Sequence, residues 1–420
     1  MSQYRAYPAY KDSGVEWIGQ VPEHWKVARV KRLASLRNER RNDVSTDTIY
    51  IGLEDVEAGS GQYKPTNGSS RQSEDSTVGI FYEGDVLYGK LRPYLRKAII
   101  SEMAGCCSTE FLVLRAEKTE PRWLQEWLLT PDVTHQIVSG CEGAKMPRAD
   151  WGHIGSIEVV YPDQPEQAKI LTSLDRETAR IDALIEKKTR FIELLKEKRQ
   201  ALITHAVTKG LDPNVKMKDS GIEWIGQVPE HWEVKPFKYI LSAPMSYGAN
   251  ESAESDDPNH PRYIRITDLT ENGTLREDTF KTLPWDKAYS YLLSDGDILL
   301  ARSGATVGKS FLYRETNGAA CFAGYLIKAS CDEEKALPKY IYAYLQSHSY
   351  WEYISGSNIQ STIQNVSAEK YSSMVLPVPQ REEQATIVAT LDRETARFAA
   401  LISKAEQSIA LLKERRAAFI

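Results

Sequence analysis

At 420 residues, with 41% hydrophobic and 26% charged side chains, the chain has the make-up of an ordinary globular protein of two or more domains. Its longest apolar runs, such as Ile298–Ala301, fall far short of the ~20 residues of a membrane span, and no signal-peptide run opens it, so a cytoplasmic protein is expected. The formal charge of −5 carries no general basic excess for nucleic acid, and Cys106, Cys107, Cys141, Cys321 and Cys331 form neither a CxxC pair nor a zinc spacing, as suits reduced thiols.

The first recognisable segment, KDSGVEWIGQVPEHW from Lys11 to Trp25, is written again from Lys218 to Trp232, with only Val15 replaced by Ile222. A middle region of mixed short alternating runs and turns follows it. FLVLR (Phe111 to Arg115) and SIEVVYP (Ser156 to Pro162) read as strands, and PRWLQEWLLTPDVTHQIV (Pro121 to Val138) as a helix with proline at its start. From Gln167 to about Val207 there is neither proline nor glycine. Leu174, Ile181, Leu184, Ile185, Phe191, Ile192, Leu195 and Leu202 form one apolar stripe on a long charged helix.

The pattern then starts again. After the second WIGQVPEHW, GDILLAR (Gly296 to Arg302) reads as a strand and PKYIYAYLQSHSYWEYI (Pro338 to Ile354) as a helix. A second long helix carries Leu391, Phe398, Leu401, Ile402, Ile409, Leu412 and Phe419. EQAKILTSLDRETARIDALIEKKTRFIELLKEKR, from Glu166, matches EQATIVATLDRETARFAALISKAEQSIALLKERR, from Glu383. An internal duplication of this period dictates the architecture. The expected fold is α+β: two globular domains joined and spaced by two long helices in an antiparallel coiled coil, with pseudo-two-fold symmetry. Its parts are residues 1–162, 163–210, 211–378 and 379–420. Ile420 corresponds to Ile203 and Met1 to Thr208, so the two halves nearly close a circle, short of about Thr204 to Val207. The termini are therefore expected near each other. A helix of ~34 residues spans roughly 50 Å, on the scale of one ~34–36 Å turn of B-DNA. The stripe alone equally fits a dimerisation arm.

The middles diverge where the helices do not, yet share a frame: YEGDVLYGKLRPYLRKA from Tyr82 against SDGDILLARSGATVGKS from Ser294. Basic and amide side chains gather at matching places in it. Lys90, Arg92, Arg96 and Lys97 are interleaved with Tyr88 and Tyr94, and Lys145 and Arg148 follow in GAKMPR. The second half offers Arg302, Ser303, Thr306 and Lys309, then Asn358, Gln360, Gln364 and Asn365. Arginine and lysine suit guanine edges and phosphates, and asparagine and glutamine suit adenine edges. Taken singly, each is more often a solvated surface residue than a contact; as a matched set they are candidate DNA contacts. SGATVGKS (Ser303 to Ser310) imitates a phosphate loop, but Gly304 and Gly308 are one residue too close and no helix follows, so nucleotide binding is not expected. The histidines make no HExxH pair, no serine or cysteine sits in a nucleophile elbow, and no methyltransferase motif is present, so no catalytic site and no metal site are expected.

W-I-G-x-V-P-x-H-W opening each half, P-x-x-x-E-Q leading into each long helix and G-D-[IV]-L within each middle resemble, as an ordered set occurring twice, the specificity subunit of type I restriction–modification systems. The resemblance covers essentially the whole chain. It implies two target-recognition domains, each reading one half of a bipartite, asymmetric double-stranded DNA target, with an unread spacer set by the helices. It further implies two methyltransferase subunits docked on the scaffold, with two motor and nuclease subunits joining for restriction. The chain would then catalyse nothing and hold no cofactor, S-adenosylmethionine and ATP being expected on the partner subunits. Trp17, Pro22 and Trp25, with Trp224, Pro229 and Trp232, would anchor each domain to the scaffold. The competing reading is a DNA-binding scaffold protein that acts without methyltransferase partners.

Overall fold

The computed structural model describes residues 7–45, 47–66, 76–141, 146–270, 273–358 and 365–419. The chain divides into two units, Met1–Glu186 with Ala410–Ile420, and Lys187–Ile409.

In the first unit the repeated opening segment is a hairpin, β1 (Tyr10–Asp12) against β2 (Gln20–Pro22). Gly14 and Gly19 occupy the left-handed region at its turn, which explains two glycines so close together. The chain continues through β3 (Lys26–Arg29), β4 (Ala34–Leu36), β5 (Arg40–Arg41), β6 (Tyr50–Ile51), β7 (Val78–Phe81), β8 (Val86–Gly89), β9 (Ala98–Ile100), β10 (Gly105–Cys107) and β11 (Phe111–Ala116). Two four-stranded sheets result, ordered β4-β11-β8-β9 and β5-β7-β10-β6. Pairing is antiparallel except between β10 and β6. α1 (Pro121–Leu129) and α2 (Pro131–Ser139) follow where one helix was expected. Pro131 has no N–H to give, so α1 ends at Thr130, whose hydroxyl donates back to Trp127 C=O at 2.9 Å, and α2 starts on the proline. After α3 (Trp151–Ser156), β12 (Glu158–Tyr161) returns to pair with β3.

α4 (Gln164–Lys209) then begins. Asp163 accepts the backbone N–H of Glu166 at 3.0 Å, and Pro165 sits in the first turn, where its missing N–H is harmless. The helix ends at Gly210, at φ +76. Its 46 residues correspond to a rod of about 70 Å.

The second unit repeats the plan. β13 (Met217–Asp219) and β14 (Gln227–Pro229) form the hairpin, and β15 (Glu233–Pro236) precedes β16 (Ser246–Tyr247) and β17 (Arg262–Ile264). α5 (Trp285–Ala288), β18 (Ile298–Ala301), β19 (Ser310–Leu312), β20 (Ala320–Phe322) and β21 (Leu326–Ala329) come next. The sheet β16-β21-β18-β19 is the counterpart of β4-β11-β8-β9. α6 (Pro338–Tyr344) and α7 (His348–Asn358) again divide a segment expected as one helix. α8 (Ala368–Ser373) leads to β22 (Val375–Val378), paired with β15, and then to α9 (Arg381–Phe419).

Within each unit the long helices run antiparallel. In the first, Arg416 Nε lies 2.8 Å from Asp182 Oδ1, while Phe419 reaches back to the level of Leu171 and Leu174. In the second, Ile203 and Val207 share a core with Leu391 and Ile387. Not all of the stripe is covered: Leu184 in the first unit, and Phe191 and Leu401 in the second, are exposed, against the expectation that the helices bury the whole face.

The Glu-Gln that opens each long helix has a physical reason. Gln167 is buried and accepts from Thr119 Oγ1 at 3.0 Å while donating to Pro162 C=O at 3.0 Å. Gln384, fully buried, accepts from Leu337 N–H at 2.8 Å and donates to Lys335 and Pro379. Glu166 faces His24 at 2.7 Å, and Glu383 faces His231 at 2.8 Å. Both histidines thus tie a repeated hairpin to a helix start. Glu166 also accepts from Tyr7 Oη at 2.6 Å and from Trp25 Nε1 at 3.4 Å. Burial raises its carboxyl, but these hydrogen bonds together outweigh it and leave the group below its ordinary range.

Candidate nucleic-acid interface

The GDVL and GDIL motifs position the loops that follow them. Gly84 and Gly296 turn the chain at φ +81 and +87, where a Cβ would be strained. Asp85 and Asp297 then close the turn, accepting from the backbone N–H of Tyr82 and Ser294, each at 2.8 Å. Both carboxylates are nearly buried and each has a cation: Arg37 donates twice to Asp85, at 2.8 and 3.1 Å, and Lys328 lies 3.7 Å from Asp297. From this corner β8 and β18, buried along their whole length, carry the chain to a loop at the far edge.

There a second segment, distant in sequence, is brought alongside by backbone bonds. Ala149 N–H donates to Lys90 C=O and Arg92 N–H to Pro147 C=O, both at 2.9 Å, placing Leu91 opposite Arg148. The second unit does the same: Val366 N–H donates to Arg302 C=O at 2.8 Å, and Ser303 stands opposite Asn365. Lys90 and Arg302 are therefore equivalent, as are Leu91 and Ser303, and Arg148 and Asn365. Asn365 belongs to the candidate surface on the same footing as Arg148, a match that only the pairing register makes explicit.

In the first unit Arg92 and Arg96 both lie in the left-handed region, at φ 53 and 49, around a short turn at Pro93–Leu95. For residues with a Cβ this strain costs roughly 1–3 kcal/mol each, and such outliers concentrate at functional sites. Arg92 and Tyr94 are exposed and Lys90 is half-buried. Arg148 is held by Glu110 through paired hydrogen bonds of 3.2 and 3.1 Å. Arg96 and Lys97 turn inward: Arg96 donates to Leu129 C=O at 3.3 Å and Lys97 to Leu53 C=O at 2.7 Å. Tyr88 corrects the sequence reading. It is completely buried as the third residue of β8, with its phenol pushed up by burial, and has no surface to offer DNA. Lys145 lies outside the described residues.

In the second unit the Arg302 guanidinium stacks 4.8 Å from the Tyr247 ring centre, and its Nε is buried with no partner among the described residues. Tyr247 is fixed in turn by accepting the N–H of Ala368 at 3.1 Å. Tyr325, 62% exposed, accepts the Arg302 N–H through its C=O at 3.1 Å. Tyr247 and Tyr325 are absent from the sequence reading; they come from β16 and the β20–β21 turn, and only the sheet order brings them beside Arg302. Ser303, Thr306 and Lys309 share one hairpin, with Lys309 C=O accepting Ala301 N–H at 2.8 Å. The phosphate-loop look-alike is a short turn at Gly304–Thr306 running into β19, with no helix to present amides to a phosphate. Asn358 closes α7, whereas Gln360 and Gln364 lie outside the described residues. Cys107, Cys321 and Cys331 are pushed up to about 12 by burial, which keeps them as thiols.

Residues 229–411 match the family model of the type I restriction modification DNA specificity domain. The type I restriction enzyme EcoDI specificity subunit of Escherichia coli is 24% identical over 183 residues, 42% of this chain and 41% of that protein. The MjaVIII specificity subunit of Methanocaldococcus jannaschii is 23% identical over 276 residues, 61% of this chain and 59% of that one. The chain thus spans about half the length of the curated relatives it matches. Among solved structures, the HsdS subunit from Thermoanaerobacter tengcongensis superposes with a TM-score of 0.58 at 19% identity, covering 95% of this chain and 96% of that one. A chain from a structure of type I R-M complex assembly and conformational transition gives a TM-score of 0.74 at 18% identity, covering 95% and 97%. No helix among the described residues is long and apolar enough to cross a membrane. The α+β layout, the duplicated motifs and these relatives agree: the chain is similar to type I restriction–modification specificity subunits, and its residues 229–411 match their DNA specificity domain.

Proposed function

We propose that each unit reads one half of a split, asymmetric double-stranded DNA target through the paired loops, and that the long helices dock methyltransferase subunits. The chain itself catalyses nothing. S-adenosylmethionine and ATP belong to its partners, two methyltransferase subunits and, where restriction occurs, two motor and nuclease subunits. One observation carries this reading. Two units present the same backbone pairing at the same place, yet mount different side chains on it: Lys90, Leu91 and Arg148 against Arg302, Ser303 and Asn365. Like scaffolds with unlike edge chemistry suit two unlike half-sites. Leu184, Phe191, Leu194, Leu401 and Leu411, exposed along the helices, support docking of a protein partner there.

The test is co-expression with the methyltransferase subunit encoded beside this chain, followed by sequencing of host DNA for modified adenine. A split, asymmetric motif is expected. A stable complex that adds no methylation favours instead a DNA-binding scaffold that works without modification.

A further inference from the structure

The backbone register matches one further position between the units, and it carries unlike chemistry. Lys90 N–H donates to Glu110 C=O at 2.9 Å, and Arg302 N–H to Tyr325 C=O at 3.1 Å. The neighbouring pairs agree: Phe111 lies opposite Gly89, and Leu326 opposite Ala301. Glu110 and Tyr325 are therefore equivalent. Each immediately precedes a strand, β11 or β21, and each flanks the loop whose other side is taken by Arg148 or Asn365.

In the first unit the two flanking side chains meet. Arg148 donates to Glu110 through Nε and Nη2, which uses two of the five guanidinium N–H groups and leaves three. The side chains are 55% and 26% exposed, and an ion pair this open adds little to stability. What it changes is the choice of ligand. A phosphate is drawn by net positive charge, which Glu110 cancels. A base pair asks instead for donors and an acceptor in fixed places. This pair of side chains supplies both: guanidinium N–H groups for O6 and N7 of guanine, and a carboxylate for the N4 amino group of cytosine.

In the second unit neither flanking residue is charged. Asn365 is exposed, and Tyr325 is 62% exposed. An asparagine amide matches N6 and N7 of adenine, and an aromatic ring matches the methyl group of thymine.

Resting on the DNA reading above, we propose that Glu110 and Tyr325 are specificity-determining residues: Glu110 with Arg148 reads a G·C pair in one half-site, and Tyr325 with Asn365 reads an A·T pair in the other. The main-chain bonds at both positions run through the carbonyl oxygen, so exchanging the side chains leaves the edge in place.

The test maps modified adenine in host DNA carrying the full chain and the methyltransferase subunit encoded beside it. The double exchange Glu110→Tyr with Arg148→Asn is expected to turn one position of one half-site from G·C to A·T, a shift in preference of roughly tenfold or more, with the other half-site untouched. Glu110→Gln keeps the shape and removes the charge, and is expected to relax that same position. Tyr325→Ala is expected to relax one A·T position of the opposite half-site. Should the double exchange abolish methylation, the two single variants decide. A split motif from the parent that both single variants leave unchanged overturns the proposal alone, as does relaxation spread over both half-sites or falling on the wrong base pair. No split motif from the parent overturns the DNA reading and the proposal with it.

Discussion

Arg148 and Glu110 face each other as a two-toothed clamp, Nε to Oε2 at 3.2 Å and Nη2 to Oε1 at 3.1 Å, on the exposed edge beside Leu91. The fork that holds Glu110 is the one that fits O6 and N7 of guanine. Arg148→Ala should therefore weaken binding of the assembled complex by about 1–3 kcal/mol and relax selectivity at one position of one half-site. Binding assays across single-base variants of the target check this. A uniform loss over all sequences would reassign Arg148 to the phosphate backbone.

In the second unit the basic side chain of the paired loops is Arg302, at the position of Lys90, and it is aimed by an aromatic face instead of a carboxylate. Tyr247→Ala should weaken binding by about 0.5–2 kcal/mol, the range of a cation–π contact, and only for targets intact in the other half-site. Tyr247→Phe keeps the ring and should change binding little. If Phe is as damaging as Ala, the hydroxyl that accepts Ala368 N–H matters more than the stacking.

Gln384→Ala removes three hydrogen bonds at a fully buried position and leaves the Leu337 N–H without its acceptor. Each orphaned buried group costs about 1–3 kcal/mol. The urea midpoint should fall accordingly, with DNA selectivity unchanged in whatever fraction stays folded. A neutral result would show that water takes over the glutamine's role.

Glu166 couples stability to acid. Its carboxyl is held below the ordinary 4.5 in the folded chain, so its contribution is complete above that value and is lost as the pH falls through the lower folded value. The stability gap between the parent and Glu166→Gln, followed by urea denaturation from about pH 6 to pH 3, should narrow on the acid side. A constant gap would mean that shape, not charge, is what Tyr7, His24 and Trp25 recognise.

Local features were legible in the sequence. The strands at 111–115 and 296–302 and the long helix, expected from Gln167 and observed from Gln164, each depend on residues within a few positions of one another. What escaped depends on long-range pairing. Arg148 meets Leu91, and Tyr247 meets Arg302, through sheet order that no short window contains. Tyr88 was misread because it lies close to a basic cluster, although VLYG is an apolar run of the kind that fills a strand buried on both faces. Leu184, Phe191 and Leu401 were assigned to a buried stripe by their spacing, yet burial of that stripe depends on the neighbours each helix actually has.

The paired loops are joined by main-chain atoms: Lys90 and Arg302 receive the incoming strand through their carbonyl oxygens, and Arg92 through its N–H. A substitution at Lys90 or Arg302 leaves the stitching intact, because every residue type carries a carbonyl, whereas Arg92 must keep its N–H and its left-handed backbone. New side chains can accordingly be tried one at a time without refolding the domain around them. An edge built in this way is evolvable at low structural risk, and a library confined to Lys90, Leu91 and Arg148, or to Arg302, Ser303 and Asn365, is the economical place to look for altered specificity.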